Sequence, residues 1–297
     1  MPTNVQEDDS AVAVDAIRRE LSLGTGIVRY SLGSVPVFAV GDGYVVKLFP
    51  QAQRSYFEIE RAVLPHIENL LPIPTPGLIA AGEHGAWLYL VMTRLSGRCL
   101  AEAWPEIETG ERAALVREVG EALAALHAIP AEEVASLAID WPEFMAAQRA
   151  SCRDRQLATH LTSPWVDAAD GFLARWMPED DGSRVLLHTE VMREHLLVDR
   201  REGAWHIGGL LDFEDALRGA REYEWACAGI FLTCGEPGLL GALLDGYGVR
   251  PDDELPMRCM AYALLHRYSN LRWYLERLPA RGTEGDLESL ARLWFAL

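Results

Sequence analysis

The pattern of apolar and polar positions gives the first part of the chain strand character and the longer second part helical character. In the first part, short apolar runs are joined by Gly41-Asp42-Gly43, and an Asp-Gly pair between such runs is a strong hairpin signal. After Gly97, apolar residues recur three or four positions apart, which is the spacing of a helix face. The predicted helices cover residues 11–21, 56–67, 108–128 and 256–278, and the predicted strands cover residues 37–40, 44–48, 87–92, 185–187, 196–198 and 206–211.

Most of the candidate catalytic side chains lie between residues 184 and 216. Two short apolar runs flank His188, Glu190, Glu194 and His195, and a third run ends at Asp212. Phosphoryl transfer needs a carboxylate to orient a hydroxyl and further ligands to hold Mg²⁺ against the phosphates. Kinases supply them from H-x-D-x-x-x-x-N and a following D-F-G. The segment has this spacing, with Glu for the first Asp, His for Asn, and D-F-E for D-F-G.

These runs, LLHTEVMREHLLVD and GGLLDFEDALRGAREYEWA, resemble two signatures of the aminoglycoside phosphotransferases, HGD-x-x-x-x-N and ID-[WF]-x-x-A-x-x-G-x-x-x-Y-D-L-A. Ala216, Gly219 and Tyr223 are in step with the second signature, and Glu224 stands where the family usually has Asp. The resemblance is nearest to hygromycin-type members around V-x-F-x-V-G-D-G-x-V-V-K-L-F. It implies an α+β, bilobal protein-kinase-like fold, with a small antiparallel-β N-lobe containing one main helix and a larger, mainly helical C-lobe. The expected divisions are a disordered tail at 1–10, a nucleotide-binding N-lobe at 11–95, and a catalytic C-lobe at 96–297.

Lys47 is the only lysine of the chain and lies inside a β-branched run, where a charge is normally unfavourable. An exposed strand lysine is the alternative interpretation. The resemblance implies that Lys47 contacts the α- and β-phosphates of ATP, with GTP as an alternative, and that Glu60 is its carboxylate partner. Glu58 is the second choice for that partner. The other predicted nucleotide-binding residues are Ser31, Gly33 and Ser34 in a turn and Met92, Thr93 and Arg94 at the hinge between the lobes.

The resemblance also implies roles for the residues of the H-T-E and D-F-E motifs. Glu190 and His188 are the predicted catalytic residues, and Asp212 and His195 are the predicted ligands of Mg²⁺, with Mn²⁺ as an alternative. Because imidazole suits softer metals than Mg²⁺, three interpretations of His195 stay open. It binds a metal such as Mn²⁺, it hydrogen-bonds Glu190 while water or Glu194 completes the metal site, or the site is inactive.

Acidic residues after the D-F-E motif are candidates for binding the acceptor. They are Glu214, Asp215, Glu222 and Glu224. Salt bridges to the arginines at 193, 200, 201, 218 and 221 are the alternative interpretation. The sequence therefore predicts an ATP-dependent phosphotransferase that acts on a hydroxyl of an aminoglycoside-like or other cationic or polyhydroxylated acceptor, such as an antibiotic. The alternatives are a pseudokinase-like nucleotide- or ligand-binding protein and a kinase of a metabolite such as choline, homoserine or a fructosamine.

The composition limits the partners of the protein. The net charge of −17 repels nucleic acid and anionic membranes and attracts cations, although solubility explains it equally well. The five cysteines are scattered and form no C-x-x-C pair, which argues against a disulfide framework or a zinc site. No apolar run has membrane length, and the acidic N-terminus does not resemble a signal peptide. We expect a cytoplasmic monomer or homodimer with a small-molecule acceptor.

Overall fold

The computed structural model describes residues 4–31, 33–130, 132–280, 283 and 285–297. The strands are β1 (Ile27–Arg29), β2 (Val37–Val40), β3 (Tyr44–Pro50), β4 (Leu78–His84), β5 (Trp87–Thr93), β6 (Arg98–Cys99), β7 (Val185–Leu187), β8 (Leu196–Arg201), β9 (Ala204–Leu210) and β10 (Leu217–Gly219). The helices are α1 (Asn4–Glu20), α2 (Arg54–Ile67), α3 (Leu100–Ala103), α4 (Thr109–His127), α5 (Trp141–Ala158), α6 (Ser163–Trp176), α7 (Arg221–Ala228), α8 (Leu239–Tyr247), α9 (Leu255–Leu265), α10 (Leu271–Arg277) and α11 (Leu287–Trp294).

The N-lobe is built on a five-stranded antiparallel sheet in the order β1-β2-β3-β5-β4. The predicted hairpin between β2 and β3 is confirmed, with Val40 opposite Tyr44 at the turn. Strand β3 therefore lies in the middle of the sheet, where both of its edges are hydrogen-bonded and its side chains are held in a fixed register.

Alternation along β3 sends successive side chains to opposite faces of the sheet. Val46 and Leu48 pack in the apolar cluster that includes α1, whereas Phe49 packs in the main core on the α2 side. Lys47 shares the Phe49 face, and its ammonium lies 5.1 Å from the centre of the Phe49 ring. The register of one central strand thus points the single lysine of the chain toward α2.

Helix α1 differs from the prediction for the N-terminus. The first ten residues were expected to be a disordered tail, but the helix begins at Asn4. Ser10 is already buried, and Val14 and Ile17 pack against the outer face of the sheet. The apolar stripe that starts near residue 12 therefore fixes a helix that continues into the polar segment before it.

The C-lobe encloses two small antiparallel sheets among its helices. One pairs β7 with β10, and the other has the order β6-β8-β9. The connection from β7 to β8 contains the H-T-E segment, and the connection from β9 to β10 contains D-F-E. Both connections leave the sheets beside the N-lobe, so short strands bring the two motifs together.

The prediction of one continuous helix over residues 256–278 is wrong, because the helix is interrupted in its middle. Helix α9 ends at Leu265, and α10 starts at Leu271 after Asn270 caps its N-terminus by accepting from the Trp273 amide. Asparagine is favoured at this capping position because its side-chain oxygen replaces a missing helical acceptor. The break places residues 266–270 in a loop against the H-T-E segment.

Candidate active site

Lys47 holds three carboxylates at the junction of the two lobes. Its Nζ lies 2.8 Å from Glu60 Oε2, 2.6 Å from Asp212 Oδ1 and 2.7 Å from Glu214 Oε2. Lys47 and Glu60 are buried, and Glu214 is largely so. These four residues come from β3, α2 and the D-F-E loop. One ammonium and three carboxylates leave an excess of two negative charges when all are ionised.

Glu60 also fixes the D-F-E loop. Its second carboxylate oxygen, Oε1, accepts from the backbone amide of Phe213, whose side chain is fully buried. Glu58, the other candidate partner of Lys47, is exposed and pairs with Arg61 instead. The structure therefore brings Lys47 together with the first-choice glutamate of α2.

Burial and charge perturb the ionisation of this cluster in opposite ways. The burial of Lys47 opposes its charge, but Glu60, Asp212 and Glu214 outweigh burial and raise the pKa of the ammonium well above its usual value. Burial raises the pKa of Glu60 to about 7, although Lys47 acts against it. For Asp212, Lys47 and His195 outweigh burial and lower the pKa to about 2. The Asp212 carboxylate is therefore ionised and suited to binding a cation.

The donor set at Asp212 fits a divalent metal ion. Carboxylate oxygens of Glu60, Asp212 and Glu214 lie within 4.8 Å of one another. His195 Nδ1 lies 2.9 Å from the Glu190 carbonyl oxygen, and its Nε2 lies 3.4 Å from Asp212 Oδ2. A carbonyl oxygen only accepts, so Nδ1 carries the proton, and Nε2 has a free lone pair in the neutral ring. His195 thus contacts the backbone of Glu190, and the nitrogen that can bind a metal faces Asp212.

Glu224 supports the H-T-E segment from inside the C-lobe. It is fully buried, and its two carboxylate oxygens accept from the backbone amides of His188 (2.6 Å) and Thr189 (3.0 Å). His188 is also fully buried, with Nε2 2.8 Å from the Leu211 carbonyl oxygen. Its Nδ1 accepts from the Glu190 amide at 3.2 Å. The His188 ring hydrogen-bonds backbone groups of both motifs and so positions them, while its predicted catalytic role stays a prediction.

Two residues of the site have left-handed backbone conformations. Thr189 and Asp212 both have φ of 71°, which is costly for a β-branched residue such as Thr189. The Thr189 hydroxyl donates to the Asp215 carbonyl oxygen at 3.1 Å, and its own carbonyl accepts from His266 Nε2 at 3.0 Å. The Thr189 amide also donates a hydrogen bond to Glu224, so three hydrogen bonds hold Thr189 in this conformation. The strained residue directly precedes Glu190 and so fixes its backbone.

Glu190 is half-buried, directly follows Thr189, and its carbonyl oxygen accepts from His195 Nδ1. Partial burial is the main cause that raises its pKa to about 8, and the negative charges of Asp215, Asp212 and Glu214 add to it. Arg267 acts in the opposite direction. A carboxyl group with a pKa near neutrality can accept or donate a proton at the working pH. Glu190 is therefore a partly exposed carboxyl group that can exchange a proton near neutral pH.

The four acids predicted to bind the acceptor already have internal partners. Glu214 pairs with Lys47, and Glu224 holds the H-T-E backbone. Glu222 accepts from Arg258 Nε at 3.0 Å. Asp215 is buried and accepts from Arg267 and from the Tyr268 hydroxyl. Each of these carboxylates neutralises or orients a group of the protein itself, and their predicted roles in binding the acceptor stay predictions.

The predicted nucleotide-binding residues of the N-lobe lie in two places, the turn before β2 and the hinge after β5. Ser34 Oγ lies 3.4 Å from Glu214 Oε1, which puts the turn containing Ser31 and Gly33 over the cluster. Leu32 of this turn lies outside the described residues. At the hinge, the amide of Thr93 donates to the Gly77 carbonyl and the amide of Arg94 to the Gly43 carbonyl. Met92 is buried in the core. Sheet and turn bonds occupy the amides of Thr93 and Arg94, and the predicted binding of adenine by the hinge backbone stays a prediction.

Comparison with known proteins identifies the family. A model described as the phosphotransferase enzyme family, abbreviated APH, matches residues 28–259. The chain belongs to this family. Membership confirms the predicted enzyme class, a phosphotransferase, and the predicted family resemblance. The narrower resemblance to hygromycin-type members stays a prediction.

Solved structures of family members show the same fold. The GDP and kanamycin complex of APH(2'')-IIIa aligns with a TM-score of 0.75 at 15% identity and covers 96% of this chain and 97% of that chain. ADP-bound APH(2'')-Ib aligns with a TM-score of 0.63 at 15% identity, covering 97% and 99%. APH(3'')-Id from Streptomyces rimosus gives 0.60 at 17% identity, covering 87% and 98%. The predicted α+β, bilobal kinase-like fold is confirmed. The lobe boundary at residues 95 and 96 stays a prediction, and no helix in the described ranges is long and apolar enough to cross a membrane.

The sequence interpretation missed three residues of this family member's site. His266, Arg267 and Tyr268 lie in the loop between α9 and α10, which was predicted to be helical. His266 is buried and bonded to Thr189, while the other two contact Asp215. The helix-capping residue Asn270 was the available signal, because asparagine inside an apolar run favours a new helix start.

Proposed function

We propose that the protein transfers the γ-phosphoryl group of ATP, or of GTP as the alternative donor, to a hydroxyl group of a small-molecule acceptor. The observation that supports this proposal is the cluster of Lys47, Asp212 and Glu214, together with the half-buried Glu190, whose backbone contacts His195 beside Asp212. Phosphoryl transfer requires mainly positioning and charge neutralisation, and this arrangement offers cationic and anionic groups for both reactants. Membership of the phosphotransferase family agrees with the reaction class.

On the donor side, Lys47 contacts the α- and β-phosphates once the nucleotide displaces part of its carboxylate shell. Glu60 keeps its 2.8 Å contact and holds the ammonium in place. Asp212, Glu214 and His195 would hold a divalent ion, Mg²⁺ or Mn²⁺, with Asp212 contributing the most strongly ionised carboxylate. When bound, the ion supplies positive charge to the phosphate oxygens. The turn at Ser34 closes over the phosphates.

On the acceptor side, Glu190 orients the attacking hydroxyl. The acceptor oxygen forms a bond to the γ-phosphorus while the bond from phosphorus to the β–γ bridging oxygen breaks. The hydroxyl proton passes to the Glu190 carboxylate, and the nucleoside diphosphate leaves with the broken bond's electrons. His188 and Glu224 keep the Glu190 backbone in place and touch neither reactant.

Phosphate transfer to an acceptor panel in the presence of Mg²⁺ or Mn²⁺ tests this proposal. The panel should contain kanamycin, since a similar structure is a complex with that compound, together with choline, homoserine and a fructosamine. We expect a phosphorylated product with at least one acceptor. Glu190→Gln and Asp212→Asn should each lower the rate by about 100-fold or more, because each removes charge or alignment from the reacting groups.

The matched pair Glu60→Gln and Glu58→Gln controls for the loss of a charge on α2. Glu58 is exposed and pairs only with arginines, so its variant should keep the wild-type rate. Glu60→Gln should reduce the rate, because it weakens the hold on Lys47. Equal rates for these two variants, or turnover that survives in Asp212→Asn, would contradict the proposed roles. Nucleotide binding without any turnover would favour a pseudokinase-like binding protein.

A further inference from the structure

The guanidinium group of Arg267 has N–H donors that are not all hydrogen-bonded within the described residues. His266 bonds the carbonyl oxygen of Thr189, and the Thr189 hydroxyl donates to the carbonyl oxygen of Asp215, so Arg267 and its partner Asp215 lie beside the residue that precedes Glu190. The shortest side-chain hydrogen bond of Arg267 runs from Nη1 to Asp215 Oδ1, at 2.6 Å, and the side chain also interacts with the Tyr223 hydroxyl. Its Nε is buried without a hydrogen-bond partner, and the side chain is 22% exposed. An arginine has five N–H donors, so most of this fork is not used within the protein.

Arg258 is an example of an arginine whose N–H donors are hydrogen-bonded by carboxylates of the protein itself. Its Nε donates to both carboxylate oxygens of Glu222, and its Nη1 and Nη2 donate to the two oxygens of Asp252. The side chain is 26% exposed, close to the value for Arg267. The two arginines therefore differ in how many partners they have rather than in burial, and Arg267 is the one beside the candidate active site.

Asp215 does not offer its charge to a ligand. The carboxylate is 4% exposed, and it accepts from Arg267 and from the Tyr268 hydroxyl, which lies 3.1 Å from both oxygens. The Arg267 guanidinium lies 5.7 Å from the centre of the Phe144 ring. The pair of Asp215 and Arg267 is neutral overall, and its accessible member is the cation. A polycationic ligand that approached this pair would contact the positively charged Arg267 before any free carboxylate.

We propose that the acceptor carries an oxyanion, a carboxylate or a phosphate, in addition to its hydroxyl, and that Arg267 binds this oxyanion while Glu190 meets the hydroxyl. The inference rests on the proposed phosphotransferase function and names its acceptor class. Arginine suits this task because its planar fork matches the two oxygens of a carboxylate or phosphate. Asp215 holds the guanidinium through Nη1, and the Tyr268 hydroxyl in turn donates to Asp215. The acidic net charge of the chain does not oppose this, because recognition depends on the local donor.

Binding of matched sugars to the full chain tests the acceptor class. The probes are gluconate, glucose 6-phosphate, glucose, glucosamine and kanamycin, each titrated by calorimetry into protein holding a non-hydrolysable ATP analogue and Mg²⁺. We expect gluconate or glucose 6-phosphate to bind at least 10-fold more tightly than glucose, and the better of the two identifies the anion. Glucosamine and kanamycin should bind no better than glucose. Tighter binding of either cation, or equal binding of the anions and glucose, would overturn the inference.

Variants of the two arginines separate recognition from folding. Arg267→Gln should weaken binding of the preferred anion by about 10- to 100-fold, the effect of losing one charged hydrogen bond. Arg267→Lys keeps the charge beside Asp215 but loses the fork, so it should bind the ATP analogue normally and the anion about 10-fold more weakly. Arg258→Gln should bind the anion as the wild type does. Unchanged anion binding in Arg267→Lys would also overturn the inference.

The readout also separates this inference from the function on which it rests. Anion binding that depends on Arg267 but occurs without any phosphate transfer would refute the proposed reaction and leave the binding site standing. Phosphate transfer to kanamycin with no binding of either anion would support the proposed reaction and refute the anion site at Arg267.

Discussion

Glu224→Gln gives the sharpest prediction, because one buried carboxylate holds the backbone on which Glu190 is placed. Its oxygens accept from the amides of His188 and Thr189 at 2.6 and 3.0 Å, and the side chain is fully buried. Glutamine keeps one acceptor and turns an NH₂ group toward the other amide, so a buried donor then faces a donor. A hydrogen bond to a charged group contributes about 1.5–3 kcal/mol, and we expect Glu224→Gln to lower the free energy of unfolding by about that amount.

The loss of activity should exceed the loss of stability. Thr189 has an unfavourable left-handed conformation that Glu224 helps to hold, and relaxation there displaces Glu190. A shift of about 1 Å in a catalytic group can cost about 100-fold in rate. Urea denaturation gives the free energy of unfolding. The rate of phosphate transfer is measured without denaturant, where the wild type and Glu224→Gln both remain folded.

Glu222→Gln on the same helix is the matched control. Glu222 pairs with Arg258 and remains 21% exposed, so its loss should cost about 1 kcal/mol or less and leave the rate unchanged. If Glu224→Gln and Glu222→Gln lose equal stability, or if Glu224→Gln keeps the wild-type rate, then Glu224 does not position Glu190 as argued.

Further predictions concern a lysine and two histidines. Lys47→Met should lower the rate of phosphate transfer by about 100-fold, while Arg61→Met, on the exposed side of α2, should leave it unchanged; similar rates for the two would contradict the role of Lys47. Burial lowers the pKa of His266 to about 4 from 6.5, so the neutral ring stabilises the fold above pH 6.5, and this is lost as the pH falls toward 4. The unfolding free energy of the wild type should therefore fall over that range by about 3 kcal/mol more than that of His266→Gln; parallel curves would refute it. His195→Asn should raise the ratio of activity with Mg²⁺ to activity with Mn²⁺, because it replaces imidazole nitrogen with an amide oxygen; an unchanged ratio would show that His195 Nε2 does not bind the metal.

The sequence by itself determined the features that depend on local spacing. The Asp-Gly hairpin, the central strand with Lys47, and the strands that deliver Glu190 and Asp212 follow from short-range periodicity and turn chemistry. The family and its bilobal fold followed because their signatures are contiguous in the chain. The resemblance gave Glu60 as the first choice and Glu58 as the second, and only the packing of α2 shows that Glu60 contacts Lys47.

Only the tertiary structure decided which charges pair. Glu214, Glu222 and Glu224 are alike in sequence, but one contacts Lys47, one pairs with Arg258 and one is buried against the backbone of Thr189. Partners 35 or more residues apart along the chain leave no local signal, because a carboxylate is compatible with solvent, an ion pair or an amide pair. The break after Leu265 was likewise hidden, since the apolar periodicity continues through it. That break lets His266 reach Thr189 and Arg267 reach Asp215, contacts that only the packing of the loop brings about.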